Sequence, residues 1–447
     1  MSGRREMRSG GETSEEERLL RSPSPPKDKF YLTYIILFIH GIGHLLPWNM
    51  FITAHEYFVE KFKCSGNYSH CTSFIEQNFE NFFSVASMLP VMLMSLLNIY
   101  IQSKVSFRKR MLVSLLMMLA LFVLTSALVK VETHNYVDLF FAGTLLTIVF
   151  MSVFSGLFQS STFGYAGILP QKYTAAVMSG QAFAGIFSSL ARIISTVATG
   201  GHVELSALLY FLSAVVVILL CLASLILLLK LKFVKYYLNL TSVRTIQSRA
   251  TQTEINKKTS KKDNMPFKEI FCDVLVYSLS VFLVFFVTLS LFPAVLSSIK
   301  SVEKYPDASI WTGKLFDALV CFLMFNSSDF VGRYLSNWFK MTGKWRFLLL
   351  ALTLLRFLFV PLLLWCNVQP RSIHFHVLFH NDVWPILFIT ALGLSNGFLA
   401  SVCMVSAPQN VKEEFRETAS TIMTFFLSFG LLSGAAMSFL YTYLTKI

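Results

Sequence analysis

Asp329 and Arg333 lie four residues apart in a segment otherwise suited to lipid. The stretch from Leu315 to Arg333 is mostly Leu, Phe, Val, Met and Cys, yet it also holds Asp317, Asn326, Ser327 and Ser328. On a helix, positions i and i+4 share a face, so the carboxylate and the guanidinium can pair. A charge at the centre of a membrane helix costs roughly 3 kcal/mol on insertion scales, so such residues face a polar interior and often mark a pathway. The pair implies a bundle with a polar centre, serving either a cargo or a purely structural staple.

The elements that position this pair follow from composition. The chain has 447 residues, 54% hydrophobic and 15% aromatic, with 14% charged and 44 Phe. With a mean hydropathy of +0.59, it falls outside the range of a soluble globule. Apolar runs of about 20 residues recur, each long enough for a ~30 Å hydrocarbon core. They lack the alternation of a β-barrel, which leaves helices as the structure that satisfies the backbone in lipid. The expected fold is an all-α polytopic membrane protein with about eleven transmembrane helices. The spans are placed near 31–58, 80–101, 109–129, 138–163, 177–199, 206–230, 270–298, 313–338, 347–366, 383–406 and 416–444.

Basic residues set the expected orientation. Lys104, Arg108, Lys109 and Arg110 follow the second span, and Lys340, Lys344 and Arg346 follow the eighth. Ten basic residues between Lys230 and Lys268 face only Glu254 and Asp263 in the loop after the sixth. All three loops share one side, which the positive-inside rule makes cytosolic. The N-terminus is then cytosolic and the C-terminus extracytosolic. The net charge of +13 is read as topological, and nucleic acid is not an expected partner because the basic residues hug membrane ends.

Asn67-Tyr68-Ser69 is a glycosylation sequon in the loop placed outside. Cys64 and Cys71 flank it and either form a small disulfide in an oxidising compartment or remain free thiols. Four regions result: a disordered cytosolic tail at 1–29, a six-helix half at 30–235, a basic linker at 236–268 and a five-helix half at 269–447. Such a 6+5 arrangement is major-facilitator-like, with cargo bound between the halves. In the tail, Glu15 stands four residues before Leu19-Leu20. That is the form of an acidic dileucine sorting signal, which clathrin adaptors would read.

Further motifs interrupt the apolar runs. They include Gly41-Ile42-Gly43-His44-Leu45-Leu46-Pro47-Trp48-Asn49, Phe158-Gln159-Ser160-Ser161 and Ser179-Gly180-Gln181. Asp329-Phe330-Val331-Gly332-Arg333, Arg356-Phe357-Leu358-Phe359-Val360-Pro361 and Gly393-Leu394-Ser395-Asn396-Gly397 follow. In this order the chain closely resembles the equilibrative nucleoside transporter family from about Phe30 onward. The resemblance implies eleven spans, a major-facilitator-like fold and facilitated diffusion of purine and pyrimidine nucleosides, with nucleobases as further cargo. A proton-coupled symporter of an acidic organelle is the alternative, with Asp329 carrying the proton. The tail resembles that of the endolysosomal subtype, so the plasma membrane and the late endosome or lysosome both stay open.

On this resemblance Asp329 accepts from ribose hydroxyls, and Arg333 donates to the sugar or holds Asp329. Gln159 offers a donor and an acceptor to a base edge, and Asn326 shares the face of Asp329. Trp48, Met88, Phe292, Phe322 and Leu431 match the family's apolar pocket and gate. Asn49 follows Trp48 near Pro47 and can bond freed carbonyls. Against these stand plainer readings: a helix–helix hydrogen bond for Gln159, packing for the Phe and Met residues, and close helix contact for Gly180 and Gly185. His44 is read as a possible pathway lining, and His374, His376 and His380 as a solvated loop. Arg192 either snorkels or pairs with a carboxylate. No phosphate-cradling loop, zinc spacing or catalytic triad is present, so no enzyme activity, cofactor or metal is expected.

Overall fold

Several long helices of this chain are apolar on both their packed and their open faces, and that decides how they are used. In the helix Phe107–Leu128, Met111, Leu115, Met118 and Phe122 are buried while Leu112, Val113, Leu116 and Val123 are exposed. A helix with apolar residues on both its packed and its open face belongs in lipid. The computed structural model describes residues 26–62, 72–131, 136–237, 267–302, 313, 315–339, 341, 343–371, 376–411 and 416–445. Asn67, Cys64, Cys71, Glu15, Leu19, Leu20 and most of the linker lie outside the described residues.

The first half contains α1 (Leu32–Thr53), α2 (His55–Phe62), α3 (Thr72–Lys104), α4 (Phe107–Leu128), α5 (Val137–Ile168), α6 (Gln171–Ala198) and α7 (Val203–Leu228). The second half contains α8 (Phe267–Leu291) and α9 (Ala294–Ser297), then a π-helical stretch at Asp317–Met324 continued by α10 (Phe325–Ser336). It ends with α11 (Trp345–Leu355), α12 (Phe359–Leu364), α13 (Val383–Ser406) and α14 (Arg416–Leu444).

Among the described residues, ten helices are long and apolar enough to cross a membrane. The eleventh crossing is the π-stretch with α10. It is continuous, but Asn326, Ser327, Ser328, Asp329 and Arg333 make it too polar to stand among the ten. The expected spans are therefore all present, with edges shifted by a few residues; α3 begins earlier, at Thr72.

Packing is closest inside each half. Helix α1 lies along α6, where a Cβ on Gly41 would meet the backbone of Val177 and Gly180. Gly180 is therefore a close-packing residue, which lets two backbones approach without side chains between them. In the second half α8 lies along α14 and α10 along α13. Asp28 closes the start of α1, accepting from the Thr33 amide at 3.0 Å, the Thr33 hydroxyl at 2.9 Å and the Tyr173 hydroxyl at 3.1 Å. Across the halves, α3 packs on α14, and α6 packs on α10 and the π-stretch.

Candidate functional site

The polar residues of α10 sit deep in the bundle. Asp329 is only 4% exposed, and Arg333 donates from Nε to its Oδ2 at 2.8 Å. The other carboxylate oxygen, Oδ1, accepts from Nδ2 of Asn396 at 2.7 Å. Asn396 in turn accepts from the Thr288 hydroxyl at 2.7 Å. Thr288 accepts from Nη2 of Arg356 at 2.8 Å, and Nη1 of Arg356 donates to the Val284 carbonyl at 2.6 Å. A hydrogen-bonded chain thus runs from Arg356 through Thr288 and Asn396 to Asp329 and Arg333. It joins four helical segments, each supplying one or two links.

The fit is tight because two backbones meet there. A Cβ on Gly397 would collide with the Asp329 carbonyl and crowd the Arg333 amide. Only glycine lets α13 approach α10 closely enough for Asn396 to reach the carboxylate. Capacity for a ligand remains. A carboxylate has about four lone-pair sites, and two of those on Asp329 are used by Asn396 and Arg333. Among the described residues, Nη1 and Nη2 of Arg333 have no hydrogen-bond partner.

Asn326 is buried beside this pair, donating to the Phe322 carbonyl at 2.8 Å. Its amide fills the place a Cβ on Gly185 would take, so Gly185 makes room for it across the halves. Phe183 and Phe330 meet nearby with ring centroids 6.4 Å apart. In the first half, Gln159 on α5 is half-buried and makes no hydrogen bond among the described residues. Its neighbour Phe158 packs edge-on to His40 of α1. Met88 is buried in α3.

Trp48 packs against the apolar cluster that contains both Phe292 and Phe322. Those two rings meet edge to face at 5.5 Å, and Phe292 also stacks on Phe325 at 4.5 Å. Trp48, Phe292 and Phe322 thus belong to one apolar cluster. Leu431 does not; it packs in a separate cluster of the second half with α8 and α13. Asn49 donates to the Leu45 carbonyl at 3.0 Å. The carbonyl that loses its donor to Pro47 is that of Gly43, four residues back, and α1 runs through Pro47 unbroken.

Sequence reasoning missed three relationships. Asn396 and Arg356 stand in quoted motifs, but spacing cannot say that they converge on Asp329. His44 is buried rather than open, bonded through Nε2 to the Gln181 amide. Arg192 pairs with Asp317, with Nη1 at 3.0 Å from Oδ2 and Nη2 at 3.3 Å from Oδ1. Of the two readings of Arg192, pairing holds. The available signal was a single charge, Arg192, in one apolar span and a carboxylate, Asp317, left over beside the Asp329–Arg333 pair in another.

A profile described as nucleoside transporter matches residues 145–443, well over half of the chain. The chain belongs to the nucleoside transporter family. This transporter is 36% identical over 453 residues to equilibrative nucleoside transporter 1 of Homo sapiens, covering 93% of this chain and 98% of that one. It is 37% identical over 454 residues to equilibrative nucleoside transporter 2 of Homo sapiens, with the same coverage. To equilibrative nucleoside transporter 3 of Rattus norvegicus it is 35% identical over 438 residues, covering 92% and 89%. The crystal structure of a POT family transporter in complex with 5-aminolevulinic acid matches with a TM-score of 0.58 at 12% identity, covering 92% of this chain and 93% of that one. That likeness concerns the fold alone.

Proposed function

We propose that the protein carries nucleosides across a membrane down their gradient, by alternating access between its two halves. The observation that carries this reading is the clamped carboxylate. Asn396 and Arg333 hold Asp329 from two sides while leaving it acceptor capacity, and among the described residues Arg333 keeps free donors. Vicinal hydroxyls of a ribose suit that arrangement, since each hydroxyl both donates and accepts. Gln159 of the first half, with no hydrogen bond among the described residues, suits a base edge. Trp48, Phe292 and Phe322 supply an apolar wall for the flat ring, with Asn326 beside the polar groups; Met88 joins the pocket on the family resemblance. Relatives named equilibrative do not favour the proton-coupled alternative.

The same reading places the N-terminus in the cytosol and the C-terminus outside it, with glycosylation at Asn67 and a Cys64–Cys71 bridge on the outer loop. The 1–29 tail would sort the protein through clathrin adaptors at Glu15, Leu19 and Leu20. Plasma membrane and late endosome or lysosome both fit such a signal.

The test is uptake of radiolabelled adenosine and uridine into liposomes containing the purified protein. Saturable uptake that stops at equal concentrations, with or without a pH gradient, is expected. Absence of saturable uptake of either would overturn the reading, and accumulation only under a pH gradient would turn it into proton coupling.

A further inference from the structure

We propose that Arg192 and Asp317 are a charge latch between the two halves, holding one end of the bundle shut here and parting when that end opens. The proposal rests on the alternating-access reading. The two partners belong to different halves, α6 and the π-stretch, and their side chains are 6% and 7% exposed. Asp329 and Arg333, by contrast, lie on one helix. Movement of one half against the other leaves that pair intact but must stretch the Arg192–Asp317 bonds.

The surroundings support a contact that breaks. Ties between the halves gather at this same end. Glu80 of α3 accepts from the Ser297 hydroxyl of α9 at 2.5 Å and pairs with His55 at 2.7 Å. Asn81 of α3 bonds Ser438 at 2.7 Å and Thr442 at 3.2 Å, both on α14. Beside Arg192 lies a small cavity lined by Glu56, Ser195, Thr196 and Ser206 of its own half. Once Asp317 withdraws, the guanidinium has a carboxylate and three hydroxyls within its own half to receive it. Each partner alone is an uncompensated charge in the closed state, which is strongly unfavourable when buried. The pair therefore favours closure only while both members are present.

Cys321 supplies a native reporter. It is buried, four residues beyond Asp317 in the π-stretch, within electrostatic reach of Arg192, Asp317, Glu80 and Lys300. In nanodiscs, modification of Cys321 by a bulky hydrophilic maleimide, read by peptide mass spectrometry, measures opening without any cargo. Arg192→Met and Asp317→Asn should each speed modification about fivefold or more, whereas Arg192→Met/Asp317→Leu should label more slowly than either single, because no unpaired charge remains, but still about twofold or more faster than the native chain, because the tie between the halves is gone. Arg192→Lys keeps the charge but loses the planar fork, and should give about a twofold to threefold increase in a well-folded protein.

Native-rate labelling in the single variants and in Arg192→Lys would overturn the latch. So would a double variant that labels at the native rate, which would show that the pair adds nothing to closure. Uptake assays test the transport reading separately, so the two can fail independently.

Discussion

Nδ2 of Asn396 donates to Oδ1 of Asp329 at 2.7 Å, from α13 to α10, at a point where both side chains are almost wholly buried. The bond fixes one carboxylate oxygen while Arg333 fixes the other. It makes the Gly-Leu-Ser-Asn-Gly segment a support for the charged pair. Removing Asn396 should therefore act on cargo through Asp329. Asn396→Leu is expected to weaken uridine affinity about tenfold, the worth of a hydrogen bond to a charged group. Uptake kinetics that show a raised KM at native expression would bear this out; an unchanged KM would count against it.

The charged pair itself should matter more. Asp329→Ala and Arg333→Ala are each expected to cut uptake at least about tenfold, since each removes a charge-assisted contact. Protein that reaches the membrane in native amounts keeps the comparison clean. Retained uptake in both variants would reduce the pair to a structural staple.

Arg356 presents a stability question. It is 2% exposed, and its four hydrogen bonds go to neutral acceptors: the Val284 and Leu392 carbonyls and the Thr288 and Ser395 hydroxyls. Lysine cannot reproduce that planar fork. Arg356→Lys should destabilise the second half by roughly 2 kcal/mol, given the usual range for hydrogen bonds to charged groups. Thermal unfolding in nanodiscs would detect it as a lowered Tm, and an unchanged Tm would contradict the assignment.

Gly397→Ala tests the close approach of α13 to α10. The added methyl has no room beside the Asp329 carbonyl, so the helices must separate, at about 1–3 kcal/mol for overpacking. Reduced yield of monodisperse protein, together with weaker uptake, is the expected outcome. Native yield and uptake would show that α13 can shift freely.

Gln159→Leu separates base from sugar recognition. If Gln159 reads the base edge, the ratio of adenosine to uridine KM should change by about tenfold, because a site built to hydrogen-bond one edge rejects another. Equal changes for both nucleosides would move Gln159 out of that role.

The sequence by itself determined the class of fold, because apolar runs of membrane length leave the backbone no other solution in lipid. It also determined that Asp329 and Arg333 pair, because four-residue spacing on one helix is a local relation. Its motifs sufficed for the family, since six short patterns in order survive even where each is modest. Only the tertiary structure decided which distant residues meet. Asn396 reaches Asp329 because α13 packs on α10, and Thr288 and Arg356 join through Asn396 because α8 packs on α13; no spacing along the chain encodes that. The π-stretch at Asp317–Met324 is the clearest case. Its wider winding changes the phase between Asp317 and Asp329; the first meets Arg192 of the other half and the second Asn396 of its own. Helical periodicity read from sequence assumes one pitch throughout, so the partner of Arg192 came into view only with the fold.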